Sequence, residues 1–351
     1  MSISIPFFDG HNDTVLRLFD PGTGARDGAL FFEDSGQGHL DLPRANQAGM
    51  KGGFYALFVR SPAPGDITEE TFTAERPPEA TPDTATAMRE CLTLAAGLFE
   101  LERRSEGTFR VVRTHAELEA SIRDDVHAAI FHIEGAEMID EDLDALFVLY
   151  EAGLRSIGPV WSRSNHFAHG VPFRFPSSPD TGPGLTAAGF ELIRACNDLG
   201  IMIDLSHMNE KGFWDVAKTS KAPLVATHSN AHALTTSSRN LTDAQLEAIR
   251  DSGGVVGLNY AVAFLRDDGA NNRATGLDVL LRHTDHLLGI LGENGVALGS
   301  DFDGATVPEA IGDVRGVQNL LSAMLEHGYG RELVEKIALR NWVDLLGRTW
   351  K

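Results

Sequence analysis

The stretch IMIDLSH, Ile201–His207, indicates the fold of this chain. Its first five residues are almost continuously apolar, as in a strand that is buried on both faces, and a histidine follows them. PLVATHS (Pro223–Ser229) repeats this order a short distance along the chain, with His228 behind its apolar residues. Strands buried on both faces are typical of parallel sheets covered by helices. The two stretches therefore predict an α/β fold with polar side chains at the ends of its strands.

Short apolar runs of this kind recur along the whole chain. The predicted strands are Ile3–Phe8, Gly53–Val59, Ala128–Ile133, Leu154–Val160, Ile201–Leu205, Leu224–Ala226, Val255–Leu258 and Val296–Leu298. Helical patterns lie between them. Eight strands that alternate with helices over such a length favour a TIM-type (β/α)8 barrel over a doubly wound sheet.

Several of the helices have recognisable ends. Apolar residues at helical spacing from Met88 to Phe99 predict one helix, and Leu277–Leu291 is a second amphipathic segment. Thr186 can cap a helix that ends at Gly200. Thr242 and Gln245 have the spacing of a capping box, which predicts a helix that closes before Gly253.

We expect the 351 residues to form a single barrel domain, 1–351, with two excursions. Residues 61–83 are rich in Pro, Thr and Glu, and residues 163–184 are rich in Pro and Gly. Loops that follow strands build the active face of a barrel, so both segments are candidate pocket walls or lids. An ordinary solvent loop is an equal alternative for the first.

Composition excludes several classes of partner. The net charge of −20 argues against binding to nucleic acid or to an anionic membrane surface. The two cysteines, Cys91 and Cys196, form no disulfide framework or metal motif. The chain contains no apolar stretch long enough to cross a membrane, and its first residues lack a basic region typical of signal peptides. The sequence thus predicts a cytoplasmic protein.

Metal-ligating side chains follow five of the predicted strands. These residues are His11 and Asp13, Glu134, His207, His228, and Asp301 with Asp303. A barrel brings the carboxyl ends of its strands to one mouth, so these side chains are expected to converge. A lone histidine after a strand is usually structural, but a series at equivalent positions predicts a metal site.

Other residues compete for these roles. His11-x-Asp13 has two further copies: His39/Asp41 lies in a loop, and His283/Asp285 lies in a helical pattern where residues i and i+2 point apart. Structural or supporting roles are expected for both copies. On the third strand, His132 shares a face with Glu134, and Glu137 lies further along the loop. Glu134 is preferred because it stands nearer the end of the strand.

Three histidines and two carboxylates exceed the needs of one tetrahedral zinc ion with an open position. They suit two ions with one bridging carboxylate, and two such ions can hold a hydroxide between them as a nucleophile. The remaining carboxylate, Asp301, is the candidate proton shuttle. Asp303 is the alternative, although Asp303-Gly304 also has the composition of a turn.

The set of motifs resembles the membrane (renal) dipeptidase family, in its bacterial soluble branch. These motifs are DGHND, FHIEGAE, DLSHMN, ATHSNAHAL, SSRNLTD and GSDFDG, and the resemblance runs from about Phe8 to Trp342. It implies a distorted (β/α)8 barrel of the amidohydrolase type with two zinc ions. It further implies that His11 and Asp13 bind one ion, that His207 and His228 bind the other, and that Glu134 bridges them.

The resemblance also implies roles for the substrate contacts. Asp301 corresponds to the proton shuttle, and Arg239 of SSRN corresponds to the arginine that pairs with the terminal carboxylate of the substrate. One position departs from the family. Mammalian members carry a histidine after strand four that hydrogen-bonds the scissile carbonyl, and this chain has Trp161 there. His166 or Asn165 from the same loop could supply that donor, or the metals could suffice.

We therefore expect a zinc dipeptidase that hydrolyses dipeptides with a free C-terminal carboxylate. The resemblance implies tolerance of a D-residue at the C-terminal position, and it suggests a homodimer. The first alternative is hydrolysis of N-acyl-D-amino acids, other amides or lactones on the same metals. The second is an isomerase or lyase barrel, and the third is a metal-binding protein without catalytic activity.

Overall fold

The computed structural model of the protein describes residues 4–61 and 80–351. Its strands are β1 Phe7–Asn12, β2 Met50–Phe58, β3 Phe109–Val111, β4 His127–Glu134, β5 Leu154–Gly158, β6 Met202–Ile203, β7 Val225–Ser229, β8 Val255–Asn259 and β9 Val296–Gly299. Eight of them correspond to the predicted apolar runs. The additional strand, β3, has three residues and is too short to show a pattern in the sequence.

The strands form two parallel sheets that meet at both edges. One sheet has the order β1-β2-β4-β5-β6, with β3 paired to the start of β4, and the other has the order β7-β8-β9. Isolated parallel bridges, Asp204 to Val225 and Asn12 to Phe302, join the two sheets at either side. The eight predicted strands thus close into a barrel that is interrupted at two seams. This confirms the predicted fold class.

Helices follow most of the strands. They are α1 Thr14–Phe19, α2 Leu42–Ala48, α3 Thr84–Arg104, α4 His115–Arg123, α5 Asp144–Ala152, α6 Ala187–Leu199, α7 Glu210–Thr219, α8 Asp243–Asp251, α9 Val262–Leu265, α10 Leu277–Leu291, α11 Val317–Glu326, α12 Arg331–Glu335 and α13 Asn341–Thr349. Short 3-10 turns cover Gly28–Phe32 and Val314–Gly316, and a π-helical turn covers Lys336–Arg340.

The helix ends follow from local chemistry. Thr186 Oγ1 accepts a hydrogen bond from the Gly189 amide at the start of α6, and Gly200 ends the helix in the left-handed conformation. The Thr242–Gln245 capping box opens α8, as its spacing predicts.

Strands β1 and β7 continue well beyond the ends of their apolar runs. The first was expected to end at Phe8, but β1 extends to Asn12; residue 3 of that prediction lies outside the described residues. Strand β7 likewise extends beyond Ala226 to Ser229. The polar residues that were predicted to follow these strands are partly inside them, so His11 and His228 lie on buried strand backbone, at points where the pairing register of β1 and β7 shifts.

The barrel interior is closed at its lower end by an aromatic plug. Phe54 and Trp342 pack with their ring centroids 5.1 Å apart, and Trp342 Nε1 donates a hydrogen bond to the Leu298 carbonyl at 2.8 Å. Gly10 lies against this plug, where an added Cβ would stand 2.6 Å from the Trp342 ring. A larger apolar layer fills the space between the barrel and its helices. The open end is therefore the one at which the strands finish.

The segment 163–184 lies at this open end. The Val171 amide donates to the His207 carbonyl, and the Ser238 amide donates to the Arg174 carbonyl. The segment thus contacts the loops that follow β6 and β7, as a pocket wall would. Of the other predicted excursion, 61–83, residues 62–79 lie outside the described part of the chain.

Candidate metal centre

Five side chains from four barrel strands converge at the open end of the barrel. His11 lies in β1 and Asp13 directly after it, Glu134 ends β4, His228 lies in β7, and His207 follows β6. All five side chains are nearly inaccessible to solvent. Parallel strands place their carboxyl ends on the same side, which explains why residues so distant in sequence meet here.

Glu134 stands at the centre of this cluster. Its Oε1 atom lies 3.0 Å from His207 Nε2, 3.4 Å from His228 Nε2 and 3.7 Å from His11 Nε2. Two groups with the dimensions of a metal site share it: one adds His11 and Asp13, and the other adds His207 and His228. Glu134 is therefore the residue that these two groups have in common.

His207 and His228 have the protonation that a cation requires. Burial lowers the pKa of both imidazoles well below the usual value, and the nearby charge of Arg239 lowers it further. Their Nε2 atoms lie 3.1 Å apart and face the same carboxylate oxygen. Two neutral nitrogens directed at one point have the geometry of ligands to one cation.

His11 also has a property that is typical of a metal ligand. Both of its ring nitrogens are buried and have no hydrogen-bond partner, an arrangement that is costly in the absence of a bound group. The mixed nitrogen and oxygen donors of the cluster suit zinc and similar divalent ions. The residues present therefore fit a metal pair. A further group of His11, His132 and Asp204 also has suitable dimensions, and it lies deeper in the barrel.

The metal-free cluster holds protons at neutral pH. Burial opposes protonation of His11, but Glu134, Asp13 and Asp301 together raise the pKa of His11 to about 10. Burial also raises the pKa of Glu134 to about 8, against the opposing effect of His11. A cluster with this balance of charge retains at least one proton where a bound cation would replace it.

Metal loading is therefore expected to release at least about one proton per chain near pH 7. Since the apo form binds the proton, metal affinity should rise with pH and fall by at least about tenfold for each unit of acidification below pH 8. Calorimetric titration with zinc in buffers of different ionisation enthalpy measures this release. Loading without proton release between pH 6 and 7 would contradict the protonation described here.

Asp301 stands beside the cluster without being enclosed in it. It forms a group of metal-site dimensions with His11 and His228, and its Oδ2 accepts a hydrogen bond from Asn259 Nδ2 at 2.9 Å. Desolvation raises the pKa of Asp301, and Asp13 raises it further, while His11 and the Asn259 bond act in the opposite direction. Asp301 has a positive φ of 60°, a conformation that the surrounding structure must enforce.

Asp303 has a different environment. Its Oδ2 accepts hydrogen bonds from Arg17 Nε and Thr14 Oγ1, and its Oδ1 accepts one from the His39 amide. In return, the Asp303 amide donates to His39 Nδ1. These bonds use Asp303 to tie the loop after β9 to the region before α2. They leave Asp301 as the carboxylate directed at the cluster.

The two other His-x-Asp copies have structural partners. Asp41 caps α2 and forms an ion pair with Arg44 at 2.6 Å. His283 and Asp285 lie in α10: the histidine bonds to the Leu265 carbonyl in the interior, and the aspartate contacts His327.

Arg239 is a buried cation beside the cluster. Its Nη1 donates to Ser229 Oγ and its Nη2 donates to the His228 carbonyl, each at 2.9 Å. Its Nε is buried and has no hydrogen-bond partner, and no carboxylate of the described residues lies within ion-pair distance. Burial lowers the pKa of Arg239, and the field of Asp301 opposes this shift. A buried guanidinium without a carboxylate partner can bind an anionic group of a ligand.

The sequence profile of the membrane dipeptidase family (Peptidase family M19) matches residues 2–349. The chain belongs to this family. Family membership makes the protein a metallo-dipeptidase, a hydrolase of peptide bonds, and confirms that prediction against an isomerase or a non-catalytic metal protein.

Solved structures and curated sequences of other family members are similar to this M19 dipeptidase. A metallopeptidase of Rhodobacter sphaeroides, bound to a phosphinate mimic of the dipeptide L-Ala-D-Ala, is 51% identical with a TM-score of 0.96, covering 99% of this chain and 100% of that chain. The dipeptidase AC, also of family M19, is 51% identical with a TM-score of 0.93 and covers 99% of both chains. An uncharacterized dipeptidase of Schizosaccharomyces pombe is 30% identical over 84% of this chain and 68% of its own length.

The M19 dipeptidase has an aromatic wall at the position where Trp161 departs from the mammalian members. The Trp161 ring lies 5.9 Å from the His207 ring and packs against Phe58 and Phe173, with centroid distances of 4.9 and 5.3 Å. Arg163 stacks on the same indole and forms an ion pair with Glu137 at 2.8 Å. The structure thus employs Glu137 in holding this wall.

The other two loop candidates are engaged with backbone in the M19 dipeptidase. His166 Nε2 bonds to the Ile139 carbonyl at 2.8 Å, and Asn165 accepts from the Phe167 amide while donating to the Pro159 carbonyl. A role in binding the substrate carbonyl stays a prediction for His166, and its Nε2 would first have to leave this bond.

Several residues around the centre were not predicted from the sequence. Asn259 holds Asp301, Ser162 Oγ lies 2.7 Å from His207 Nδ1, and Asp204 bonds to Thr227 beside His228. The available signal was weak, because each is a common residue type near a strand end.

Among the described residues, no helix combines the length and apolar composition needed to cross a bilayer.

Proposed function

We propose that this dipeptidase uses two zinc ions to hydrolyse dipeptides that have a free C-terminal carboxylate. The observation that carries the proposal is the buried Arg239 guanidinium, which has no carboxylate partner among the described residues and stands beside the metal cluster. A free carboxylate on the substrate would supply the missing partner.

His11 and Asp13 would hold one ion, His207 and His228 the other, and Glu134 both. When bound, such a pair supplies Lewis acidity toward the scissile carbonyl and activates water as a nucleophile at neutral pH. Glu134 suits the bridging position because one of its oxygens already lies within 3.7 Å of three imidazole nitrogens.

The chain's own groups would carry the binding and proton-transfer steps. Arg239 would orient the dipeptide by its carboxylate, with its guanidinium held rigid by Ser229 and the His228 carbonyl. Asp301 would accept the proton of the attacking water and pass it to the departing amine. Asn259 would keep Asp301 Oδ2 in place and leave its other oxygen for this exchange.

We further propose that the enzyme accepts L-Xaa-D-Xaa dipeptides. The Rhodobacter sphaeroides relative binds a phosphinate mimic of L-Ala-D-Ala, and it is 51% identical to this chain. Release of free amino acids from a library of L-Xaa-L-Xaa and L-Xaa-D-Xaa dipeptides tests the proposal. Faster hydrolysis of N-acyl-D-amino acids than of any dipeptide would favour the alternative amide hydrolase instead.

Arg239→Met is expected to weaken the use of free dipeptides far more than the use of their C-terminal amides. Loss of a charge-assisted contact to the carboxylate should cost about 1.5–3 kcal/mol, or roughly ten- to a hundredfold in kcat/KM, mainly through KM. The amide substrates are the internal control, because they lack the carboxylate. Equal losses on acids and amides would show that Arg239 has a structural role only.

Two further expectations remain predictions. The cytoplasmic location and the homodimer rest on sequence arguments and on resemblance. Light scattering of the purified chain would test the second, and a monomeric mass at micromolar concentration would contradict it.

A further inference from the structure

The environment of His228 contains a chain of hydrogen bonds that ends at a buried carboxylate. Thr227 Oγ1 lies 2.8 Å from His228 Nδ1 and donates to Asp204 Oδ2 at 2.5 Å. All three residues are almost fully buried, so water does not compete for these bonds. The hydrogen bonds thus run from His228 through Thr227 to Asp204.

The direction of the bonds follows from the number of available protons. A threonine hydroxyl has one proton, and a carboxylate can only accept, so the Thr227 proton is directed at Asp204. The Thr227 oxygen then has only lone pairs to offer His228 Nδ1. The imidazole must therefore carry its proton on Nδ1, which leaves a lone pair on Nε2, the nitrogen that faces Glu134 at 3.4 Å.

Asp204 is itself held in one orientation. Its Oδ1 accepts from the Thr227 amide at 2.8 Å and from the Ser206 amide at 3.0 Å. Oδ2 is consequently the oxygen that faces the Thr227 hydroxyl. His207 lacks an equivalent arrangement, because its partner Ser162 makes no second hydrogen bond within the described residues and its hydroxyl can rotate.

We infer that Asp204 and Thr227 form a relay that fixes the tautomer of His228 with its Nε2 lone pair toward the metal centre. They are positioning residues, since neither is among the proposed ligands. The inference rests on the proposed function in one respect, namely that His228 binds a metal ion. Outer partners of metal-binding histidines usually act in this way, and their loss lowers metal affinity on the order of 10- to 100-fold.

The relay makes an unusual prediction for Asp204→Asn. The two backbone amides require an acceptor at the Oδ1 position, so the new NH2 group must face Thr227. It would donate to the Thr227 oxygen, and the Thr227 proton would turn to His228 Nδ1. His228 would then carry its own proton on Nε2, where the metal should bind.

The test is zinc retention by the full-length loaded protein, measured by competition with a chelator while both ions are counted. Thr227→Val removes the hydroxyl at nearly constant shape, and one ion should bind on the order of 10- to 100-fold more weakly. Asp204→Asn should weaken it at least as much, whereas Thr227→Ser should retain wild-type affinity. Thr284→Val is the matched control, because Thr284 is a buried threonine whose hydroxyl bonds, among the described residues, only to the Leu280 carbonyl within α10.

Two further measurements separate the possible failures. In the wild-type chain labelled with 15N-histidine and freed of metal, nuclear magnetic resonance should show His228 protonated on Nδ1; this measurement requires no variant to fold. A proton on Nε2, or unchanged zinc affinity in Thr227→Val, would overturn the relay. His228→Gln should lose one ion: if it retains both, the assignment of His228 as a ligand in the proposed function is wrong, and the relay fails with it.

Discussion

Asp301→Asn is expected to retain both metal ions and to lose about a hundred- to ten-thousandfold in kcat, the usual contribution of a positioned acid–base group. The amide keeps the shape of the carboxylate and can still accept the hydrogen bond from Asn259, so the local structure should survive. It cannot accept the proton of the attacking water. The loss should fall on kcat, because the proton moves during the reaction and not during substrate binding.

The dependence of activity on pH gives an independent sign of the same role. Asp301 acts as a base only in its ionised form, and its pKa is raised by desolvation and by Asp13. The kcat/KM of the wild type should therefore fall as pH decreases through the acidic limb, which belongs to the coupled cluster as a whole. Asp301→Asn should change the shape of this limb.

Asp303→Asn is the matched control for Asp301→Asn. Asp303 has the same side chain two residues later, but its oxygens are occupied by Arg17, Thr14 and the His39 amide. Replacement of Asp303 should lower thermal stability, and it should reduce kcat far less than Asp301→Asn does. Loss of a metal ion from Asp301→Asn would instead identify Asp301 as a ligand, and a near-normal kcat with both ions bound would refute its role as the shuttle.

Glu134→Gln is expected to lose much of both metal ions and roughly a thousandfold in kcat/KM. A carboxamide has no charge, and its NH2 group cannot bind a cation, so it holds two cations far more weakly than the carboxylate does. Metal-assisted polarisation contributes several kcal/mol to reactions of this kind, and about 1.4 kcal/mol corresponds to a factor of ten in rate. Metal analysis after dialysis, together with kcat/KM on one dipeptide, measures both effects.

His132→Gln provides the control for Glu134→Gln. His132 is buried on the same strand, two residues earlier, and its Nδ1 bonds to Ser156 Oγ at 2.8 Å. Its Nε2 lies 3.7 Å from Asp204, among the residues below the proposed pair. His132→Gln should therefore keep both ions. The reverse result, with metal lost from His132→Gln and kept by Glu134→Gln, would move the site deeper into the barrel.

The sequence was sufficient for the parts of this fold that depend on local pattern. Runs such as Ile201–Leu205 are apolar because strands in a covered parallel sheet are buried on both faces, and this property can be read from a single segment. The ends of β1 and β7 were predicted too early, because His11 and His228 are polar residues that the strand includes. Strand β3 has only three residues, and its pairing with β4 is a tertiary property.

In the candidate site, too, the residue types could be predicted from local sequence, whereas the tertiary contacts could not. Metal-ligating residue types at strand ends could be recognised singly, and the barrel explains why they meet. The lack of a carboxylate partner for Arg239 among the described residues could not be predicted, because it depends on which carboxylates the fold keeps away from the guanidinium. Asp204 was hidden inside an apolar run, and its contact with Thr227 depends on the seam between β6 and β7.

The most direct test of the two-metal assignment is a crystal structure of the zinc-loaded protein with anomalous data collected at the zinc edge. The assignment predicts two peaks on either side of Glu134, one next to His11 and Asp13 and the other next to His207 and His228. A single peak in crystals of fully active protein, or a peak between His132 and Asp204, would contradict this assignment.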